Sequence, residues 1–549
     1  MQLERVEISG FRGIRRLSLD IDELTVLIGE NMWGKSSLLD ALSIALSPEY
    51  LDYKFRYQDF HRDHQMGHEK SCALQIVLQF KANHPKQPYH KRYRALEPLW
   101  CWQDKQHPRI YYRLVAHNNG KVKSYRDFIN ASGQAIEVEN INRCVRVLCH
   151  LHPIIRLRDA RHLRDDRLEL ANTSSAQVEK RIHSAAKRLR TMPGDMSDAE
   201  ITSGLSNMRK LVEHYFAFKP HARIPQPGET PASAALSSPQ QSSLQGMATL
   251  SQLLGKNSHK QSRLILLALL SEFIQAKGDI PFGKSIRPIL VFEDPEGRLH
   301  PTTLNQVWGL MQQLPMQKIV TTNSGELLSS CDISAMRRLV RQSGQTHSFQ
   351  VKPRKMSVDE MRRVGFHVRF HRPTAFFARV WLLVEGETEV WLFNEFARLF
   401  GYSFAAEGIQ IIEFAQCGLK PLIKIAKQLG IEWHVITDGD MAGEKYAATV
   451  ANYAKETSLT YRLTKLKQRD IEHFLYEEGF EPLFRDMAGI TPNTQMPAKK
   501  VITKVLRKYA KPDVAIAVVN YCEQHLQGQI PPRLKRVIAR LVGMARSML

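Results

Sequence analysis

The chain has 549 residues, too many for one hydrophobic core, and the usual domain size predicts roughly three or four domains. Lysine and arginine number 77 against 55 acidic residues, and this formal charge of +22 favours a polyanionic partner such as nucleic acid, with a merely basic surface as the alternative. Seven scattered cysteines without a CxxC pair argue against a disulfide framework or a zinc ribbon, and no apolar run approaches the roughly twenty residues that cross a bilayer, so we expect a cytoplasmic protein.

The first predicted elements are strands at 3–11 and 23–29, followed by a glycine-bearing turn and a helix that begins near Ser36. Strand, glycine-rich turn and helix in this order form the βα unit that a phosphate-binding loop requires. Further strands at 73–80 and 109–117 are predicted to extend this N-terminal lobe.

The stretch GENMWGKSS, residues 29–37, matches the phosphate-loop pattern GxxxxGK[ST]. The glycines let backbone N–H groups approach the phosphates, Lys35 neutralises β- and γ-phosphate charge, and the Ser36 hydroxyl can bind Mg²⁺. We therefore predict a site for ATP and one Mg²⁺ ion. The predicted nucleotide-binding residues of the loop are Gly29, Asn31, Gly34, Lys35, Ser36 and Ser37.

The middle of the chain carries a predicted helix at 178–190, a Pro- and Ser-rich linker at 223–243 and a buried helix at 261–276. A buried strand then ends at Glu293 and Asp294, and such an acidic pair can hold the Mg²⁺ shell and orient the attacking water. Asn323 ends a further short strand, where a sensor of the γ-phosphate is expected.

From residue 380 onward strands and helices alternate, which predicts a small parallel α/β domain. Glu385 and Glu389 follow one strand, and Asp438 and Asp440 follow another. Because the carboxyl ends of parallel strands meet at one edge, these carboxylates can converge on Mg²⁺ or Mn²⁺; solvated acidic loops are the alternative. Glu387 is predicted to be solvated or to act as a helix N-terminal charge.

The C-terminal residues 499–549 hold 11 lysines and arginines against Asp513 and Glu523. This composition predicts basic helices, and the Pro531–Pro532 pair predicts the start of the last of them. The basic surface would supply sequence-independent, salt-sensitive contacts to phosphates.

The nucleotide motif resembles the ABC-type ATPases of the RecF, SMC and OLD (overcoming lysogenization defect) group. The resemblance rests on Gly-x-Asn in the loop, Pro-Glu-x-x-Leu-His-Pro after Asp294 and Thr-x-Ser around Asn323. Two positions differ, because Glu293-Asp294 replaces the usual Asp-Glu or Glu-Glu and Asn323 replaces a usual His. Asp294 reaches less far than Glu and Asn323 cannot take up a proton, so nucleotide binding is a safer prediction than fast hydrolysis.

The acidic motifs are similar to the TOPRIM domain of topoisomerases and primases, which is built on Glu-Gly plus Asp-x-Asp. An ABC-type ATPase followed by TOPRIM is the arrangement of the OLD-family nucleases, and the resemblance covers essentially the whole chain, with YbjD-like members the most similar. It implies two ions at the TOPRIM site. The residues implied for them are Glu385, Asp438 and Asp440 for one ion and Glu389 with Glu472 for the other, with Asp470 the weaker candidate.

The family also uses a lysine near its C-terminal end, for which Lys511 is the candidate and a merely phosphate-contacting or solvated lysine the alternative. The predicted catalytic residues are therefore Glu385, Glu389, Asp438, Asp440, Glu472 and Lys511 for DNA, with Asp294 for ATP. The expected parts of the chain are the N-terminal ATPase half 1–160, a helical dimerisation insertion 161–255, the second ATPase half 256–372, TOPRIM 373–490 and a basic helical region 491–549.

The resemblance thus implies an α/β protein in which an ABC-type ATPase regulates a metal-dependent DNA endonuclease, and it suggests a homodimer. Two alternatives stay open. One is a non-catalytic, ATP-gated DNA clamp or repair scaffold, and the other is a regulator of a separate partner enzyme such as a helicase.

Overall fold

The computed structural model describes residues 1–47, 50–62, 72–158, 286–298, 316–342, 344–454, 458–491 and 494–548, with isolated positions between 301 and 312. The helices predicted at 178–190 and 261–276, the linker at 223–243 and the insertion 161–255 lie outside the described residues. The chain divides into two compact units: Met1–Cys331 with Gly344–Ser348, and Asp332–Ser343 with Phe349–Leu549.

The described residues of the first unit form two sheets. Its strands are β1 (Gln2–Phe11), β2 (Ile14–Asp20), β3 (Leu24–Ile28), β4 (Ala73–Lys81), β5 (Arg109–Asn118), β6 (Val122–Ile129), β7 (Ile154–Arg158), β8 (Ile289–Glu293) and β9 (Lys318–Thr321). One sheet is antiparallel, in the order β2-β1-β4-β5-β6. In the other, β3, β9, β8 and β7 are parallel neighbours in that order.

Helices of the first unit cover the sheets on their apolar sides. Within the described residues they are α1 (Lys35–Leu46), α2 (Ile141–Leu151) and α3 (Gly325–Ser329). In α1, Leu38, Leu39 and Leu42 are completely buried, because the SSLLDALSIAL sequence is apolar over most of its circumference. The predicted strands at 73–80 and 109–117 and the helix predicted to begin near Ser36 are confirmed.

The second unit is built on a parallel sheet. Strand β10 (Met336–Gln342) belongs to the second unit, and β11 (Gln345–Gln350) begins in the first unit and ends in the second. The later strands of the second unit are β12 (Val380–Val384), β13 (Ile409–Glu413), β14 (Glu432–Thr437) and β15 (Leu463–Lys465). The last four are all parallel, in the order β13-β12-β14-β15. Strand β12 is buried at every residue, as an apolar run at the centre of a parallel sheet predicts.

The helices of the second unit confirm the predicted alternation and the predicted basic C-terminal helices. They are α4 (Val358–Val364), α5 (Glu387–Leu399), α6 (Phe404–Glu407), α7 (Leu419–Gln428), α8 (Met441–Tyr453), α9 (Leu459–Arg462), α10 (Ile471–Leu475), α11 (Glu481–Met487), α12 (Ala498–Lys508), α13 (Lys511–His525) and α14 (Pro532–Arg546). Among the described helices, none combines the length and apolar character needed to cross a bilayer.

One hydrophobic core joins the C-terminal helices to the parallel sheet of the second unit. Val518 of α13 and Leu541 of α14 belong to the same buried cluster as Leu382 of β12 and Phe393 of α5. Although the C-terminal segment is basic, its apolar face is therefore part of the unit that carries the acidic residues.

A buried arginine ties β10 into this unit. Arg338 is 1% exposed, and its guanidinium donates to the backbone carbonyls of Leu429, Gly430 and Ala378 at 3.1, 2.8 and 2.9 Å. A buried guanidinium is costly unless its donors are satisfied, and these carbonyls satisfy them.

Candidate functional sites

The phosphate loop connects β3 to α1 and depends on two glycines. Gly29 and Gly34 have φ of 145° and 97°, backbone conformations that favour glycine. A Cβ atom on Gly34 would also lie 2.8 Å from Ile14 Cγ1. The loop therefore ends directly at the N-terminus of α1, whose first N–H groups have no partner within the helix.

Lys35 lies buried at the centre of this site. Its Nζ donates to the Gly29 carbonyl oxygen at 2.6 Å and to Asn323 Oδ1 at 2.8 Å. Burial lowers the pKa of Lys35, and the nearby carboxylates Asp294 and Glu296 oppose that change. The structure thus brings the predicted sensor Asn323 and the predicted acid Asp294 to the phosphate-loop lysine.

Glu296 is a further residue of this site, to which no role was assigned from sequence. It accepts from the Asn323 backbone N–H at 2.6 Å and from Thr322 Oγ1 at 3.0 Å, and burial raises its pKa. Glu296 belongs to the Pro-Glu pair directly after Asp294, and this motif could have identified it as a site residue. Its carboxylate holds the sensor segment beside Lys35.

Glu293 has a different environment from the other two acids. The Arg156 guanidinium donates to Glu293 Oε2 at 2.9 Å through Nε and lies 2.7 Å from it through a second nitrogen. Arg156 and Arg12 both pair with Asp40. Glu293 is therefore held by an arginine, while Asp294 and Glu296 are the acids near Lys35.

The remaining predicted loop residues lie at the surface of the site. Asn31 and Ser36 are exposed, and Ser37 Oγ accepts from the Gly13 backbone N–H at 3.3 Å. Asp294 has φ of 45°, a rare backbone conformation for a residue other than glycine, and exchanges hydrogen bonds with Thr321. This conformation turns the chain sharply at the end of β8.

The acidic site lies at the carboxyl edge of the parallel sheet in the second unit. Glu385 follows β12 and Asp438 follows its neighbour β14, and the Asp438 backbone N–H donates to Glu385 Oε1 at 3.1 Å. Asp440 caps α8 by accepting from the Gly443 N–H at 2.7 Å. The two predicted acidic motifs are thus adjacent.

The turn that carries Asp438 and Asp440 requires its glycines. A Cβ atom on Gly443 would lie 2.0 Å from the Asp438 carbonyl oxygen, and one on Gly439 would lie 2.4 Å from the Gln468 carbonyl oxygen. Both obstacles are backbone atoms, so the turn itself would have to move.

We therefore expect Gly443→Ala to lower the free energy of unfolding by roughly 2–4 kcal/mol. The variant should also bind metal more weakly, because Asp438 would be displaced. Differential scanning calorimetry would measure the effect. Gly543→Ala is the matched control. Gly543 lies exposed in α14, and no atom of the described residues comes within 4 Å of the added Cβ, so this variant should be as stable as wild type or slightly more stable.

Glu389 and Glu472 form a buried pair beside the strand ends. They are 6% and 3% exposed, and Thr388 Oγ1 donates to Glu472 Oε1 at 3.3 Å. Burial raises the pKa of Glu389 to about 7, and the charge of Glu472 adds to this effect. Asp470 caps α10 and contacts the His473 ring Nδ1 at 2.5 Å, and its negative charge adds to the effect of burial in raising the pKa of Glu472.

The acidic residues act on one another electrostatically. Burial, followed by the negative charges of Glu389 and Glu385, raises the pKa of Asp438 to about 9. Burial raises the pKa of Glu385, Glu389 and Glu472, and the positive charge of Lys511, the first residue of α13, opposes this rise. The structure therefore places the charge of Lys511 near the acids with which it was predicted to act.

The donor atoms at this edge fit a hard cation such as Mg²⁺ or Mn²⁺. Within the described residues, no three His, Cys, Asp or Glu side chains are grouped in the geometry of a bound ion. The set nevertheless consists of carboxylate oxygens, and the buried oxygens Thr437 Oγ1 and Gln468 Oε1, beside the same turn, have no hydrogen-bond partner in the described part of the chain. A cation would oppose the repulsion between the carboxylates.

Comparison with known proteins places the chain in a family. A family model described as "Protein of unknown function (DUF2813)" matches residues 1–375, and the model for the TOPRIM domain of proteins like the overcoming lysogenization defect protein matches residues 376–440. A relative from Escherichia coli (strain K12), "Uncharacterized protein YbjD", is 43% identical over 100% of this chain and 99% of its own length. The chain belongs to the YbjD-like family.

The family matches confirm the resemblance inferred from the sequence. The region matched by the OLD-like TOPRIM model contains Glu385, Glu389, Asp438 and Asp440. The predicted order of a P-loop α/β unit, a TOPRIM α/β domain and C-terminal helices is also confirmed.

Two solved structures are also similar to parts of this chain. The C-terminal region of the Burkholderia pseudomallei OLD protein is 17% identical, with a TM-score of 0.26 over 31% of this chain and 99% of its own. The SMC head domain from Thermotoga maritima is 13% identical, with a TM-score of 0.31 over 64% of this chain and 100% of its own.

Proposed function

We propose that this YbjD-like chain is an ATP-binding DNA endonuclease that depends on Mg²⁺ or Mn²⁺. The observation that carries the proposal is the group of mutually repelling carboxylates at the carboxyl edge of the sheet, led by Asp438, whose pKa is raised to about 9. Acids that repel one another this strongly are typical of functional sites rather than of structural ion pairs.

The residues of the acidic site divide into three roles in this proposal. Glu385, Asp438 and Asp440 would hold one cation, and Glu389 and Glu472 a second. When bound, the cations would polarise the phosphodiester and lower the pKa of an attacking water. Lys511, whose charge already acts on three of these acids, would contact the phosphate.

The nucleotide site would regulate this cleavage. Lys35 and the N-terminus of α1 would bind the phosphates of ATP, with Ser36 at the accompanying Mg²⁺. Asn323 contacts Lys35 directly but cannot exchange a proton, which supports nucleotide binding with slow hydrolysis. We further propose that the chain acts on DNA as a homodimer in the cytoplasm.

A second candidate function is an ATP-gated DNA clamp that does not cut, alone or beside a partner enzyme. The specific observation in its favour is the ion pair between Arg156 and Glu293. Glu293 is one of the two acids expected to take part in ATP hydrolysis, and its carboxylate is already bound by the arginine. Co-purification would identify a partner enzyme.

The test is cleavage of supercoiled plasmid with Mg²⁺ or Mn²⁺, with and without ATP. We expect Asp438→Ala/Asp440→Ala to reduce nicking or cutting by roughly 10²–10³-fold, because cation contacts to the reacting phosphate are worth several kcal/mol. Glu387→Ala is the matched control, since Glu387 lies exposed in the same first turn of α5 as Glu389 and should be dispensable.

Absence of cleavage under every metal and nucleotide condition, together with measurable DNA binding, would contradict the nuclease and favour the clamp. An effect of ATP that disappears in a chain unable to bind nucleotide would show that the phosphate loop regulates cleavage.

A further inference from the structure

A helical segment before the first TOPRIM strand exposes two phenylalanines. Helix α4 continues into a π-helix, Gly365–Phe370, a rare element that occurs frequently at functional sites. Phe366 and Phe370 in this π-helix are 57% and 62% exposed. Exposing two large aromatic rings to water does not stabilise the fold, so their exposure points to a binding role.

The two rings are held in a defined arrangement. Their planes lie within 5° of parallel and their centroids are 6.3 Å apart. His371 packs perpendicular to both rings, at 4.8 Å from Phe366 and 5.3 Å from Phe370 between centroids. Such edge-to-face contacts restrict the ring orientations, so that the aromatic faces are pre-ordered.

The surroundings of the rings are positively charged. Residues 361–373 contain four arginines and two histidines and no acidic residue. Arg362 and Arg363 are exposed. Two acids precede them in α4: Asp359 is exposed, and Glu360 is paired with Lys424 at 2.7 Å. We call residues 361–372 the aromatic-basic segment; its charge complements a polyanion.

The end of the aromatic-basic segment contacts β13, the outer strand of the sheet that carries the acids. Arg372 donates to the Ile411 carbonyl oxygen at 3.1 Å and to Glu413 Oε1 at 3.3 Å. Glu413 is the register partner of Val384, the residue directly before Glu385. A strand of nucleic acid on the segment would therefore lead toward the acidic site.

We propose that the aromatic-basic segment binds an unpaired stretch of DNA, with bases stacked on Phe366 and Phe370 and phosphates contacted by Arg362 and Arg363. Bases in a duplex already stack on one another, whereas unpaired bases present free faces to aromatic rings. This site would select DNA with single-stranded segments or ends. A role for this site in choosing which DNA is cut rests on the proposed nuclease function. Binding of single-stranded DNA to the segment does not depend on that function.

The test is fluorescence anisotropy of the full chain with a labelled single-stranded oligonucleotide and with its duplex, in EDTA so that no cleavage occurs. We expect Phe366→Ala/Phe370→Ala to raise the Kd for the single strand by about tenfold or more and the Kd for the duplex by less than about twofold. Phe366→Leu/Phe370→Leu should lose the same affinity, and Phe366→Tyr/Phe370→Tyr should retain it. Val358→Ala, which removes an exposed apolar side chain from α4, is the matched control.

Three results would overturn the proposal: single-strand affinity unchanged in the Ala variant, equal losses for single strand and duplex, or wild-type affinity in the Leu variant. The last result would identify an apolar contact surface for protein instead. The nuclease is tested separately, because Asp438→Ala/Asp440→Ala should keep single-strand binding in EDTA. Ring-dependent binding by a wild-type chain that cuts no DNA would overturn the nuclease alone.

Discussion

Replacing Asp438 with asparagine should reduce metal-dependent DNA cleavage by roughly 10²–10³-fold and, without metal, should make the protein more stable at neutral and alkaline pH. Asparagine keeps the shape of the side chain but removes its charge. In the wild-type chain that charge lies buried near Glu389 and Glu385. A loss of activity together with a gain of stability is expected when a metal-binding carboxylate is buried at the expense of the free energy of unfolding.

The pH dependence follows from the direction of the pKa shift. In the folded chain the Asp438 pKa is about 9, against an ordinary value of 3.8, so the folded state binds more protons between these pH values. Stability from this group is therefore highest at low pH and falls as pH rises toward 9. Glu389, with a pKa of about 7, acts in the same direction.

The measurement is Tm from pH 5 to pH 9, in EDTA and in Mg²⁺. The Tm difference between Asp438→Asn and wild type should grow with pH in EDTA and shrink when Mg²⁺ is added, because bound cation stabilises the carboxylate form. Glu387→Gln should show no such difference, since Glu387 is exposed. Parallel Tm curves for Asp438→Asn and wild type would contradict a strained acidic site.

Replacing Lys35 with methionine should lower ATP affinity by at least about 10²-fold. The buried ammonium lies at the phosphate loop and contacts Asn323 at 2.8 Å, and removing a buried partner of a phosphate costs roughly 3 kcal/mol or more. Methionine has a similar length and fills the same space without the charge. Isothermal titration calorimetry with MgATP would measure the loss.

Lys54→Met is the control for this variant, because Lys54 is an exposed lysine of the same unit and should not affect ATP affinity. Retention of wild-type ATP affinity by Lys35→Met would show that the loop does not bind phosphates. A parallel plasmid assay would separate the two sites, because metal-dependent cleavage should survive in Lys35→Met and lose only its response to ATP.

Sequence motifs with fixed residue spacing were sufficient to predict those site residues that directly follow a strand. Lys35 could be assigned from its glycines, and Asp438 from the alternation of strands and helices, since the carboxyl ends of parallel strands share one edge. The pairing of Arg156 with Glu293 could not be foreseen, because 136 residues separate them in the chain and no local pattern marks an arginine as a partner.

The aromatic-basic segment was missed for a different reason. Its sequence, MRRVGFHVRFHR, gives no signal for a π-helix, and exposed phenylalanines in such a pattern would ordinarily be read as core residues. Only the side-chain exposure in the folded chain shows that Phe366 and Phe370 face water while Val364 and Val368 are buried.

The buried guanidinium of Arg338 determines where an autonomous C-terminal fragment could begin. A fragment cut at residue 373, the boundary expected from sequence, would remove Arg338 and leave the carbonyls of Ala378, Leu429 and Gly430 without their donor. It would also remove Phe349, whose ring lies against Gly430. Proteolysis and expression trials should therefore favour fragments that start at or before Asp332.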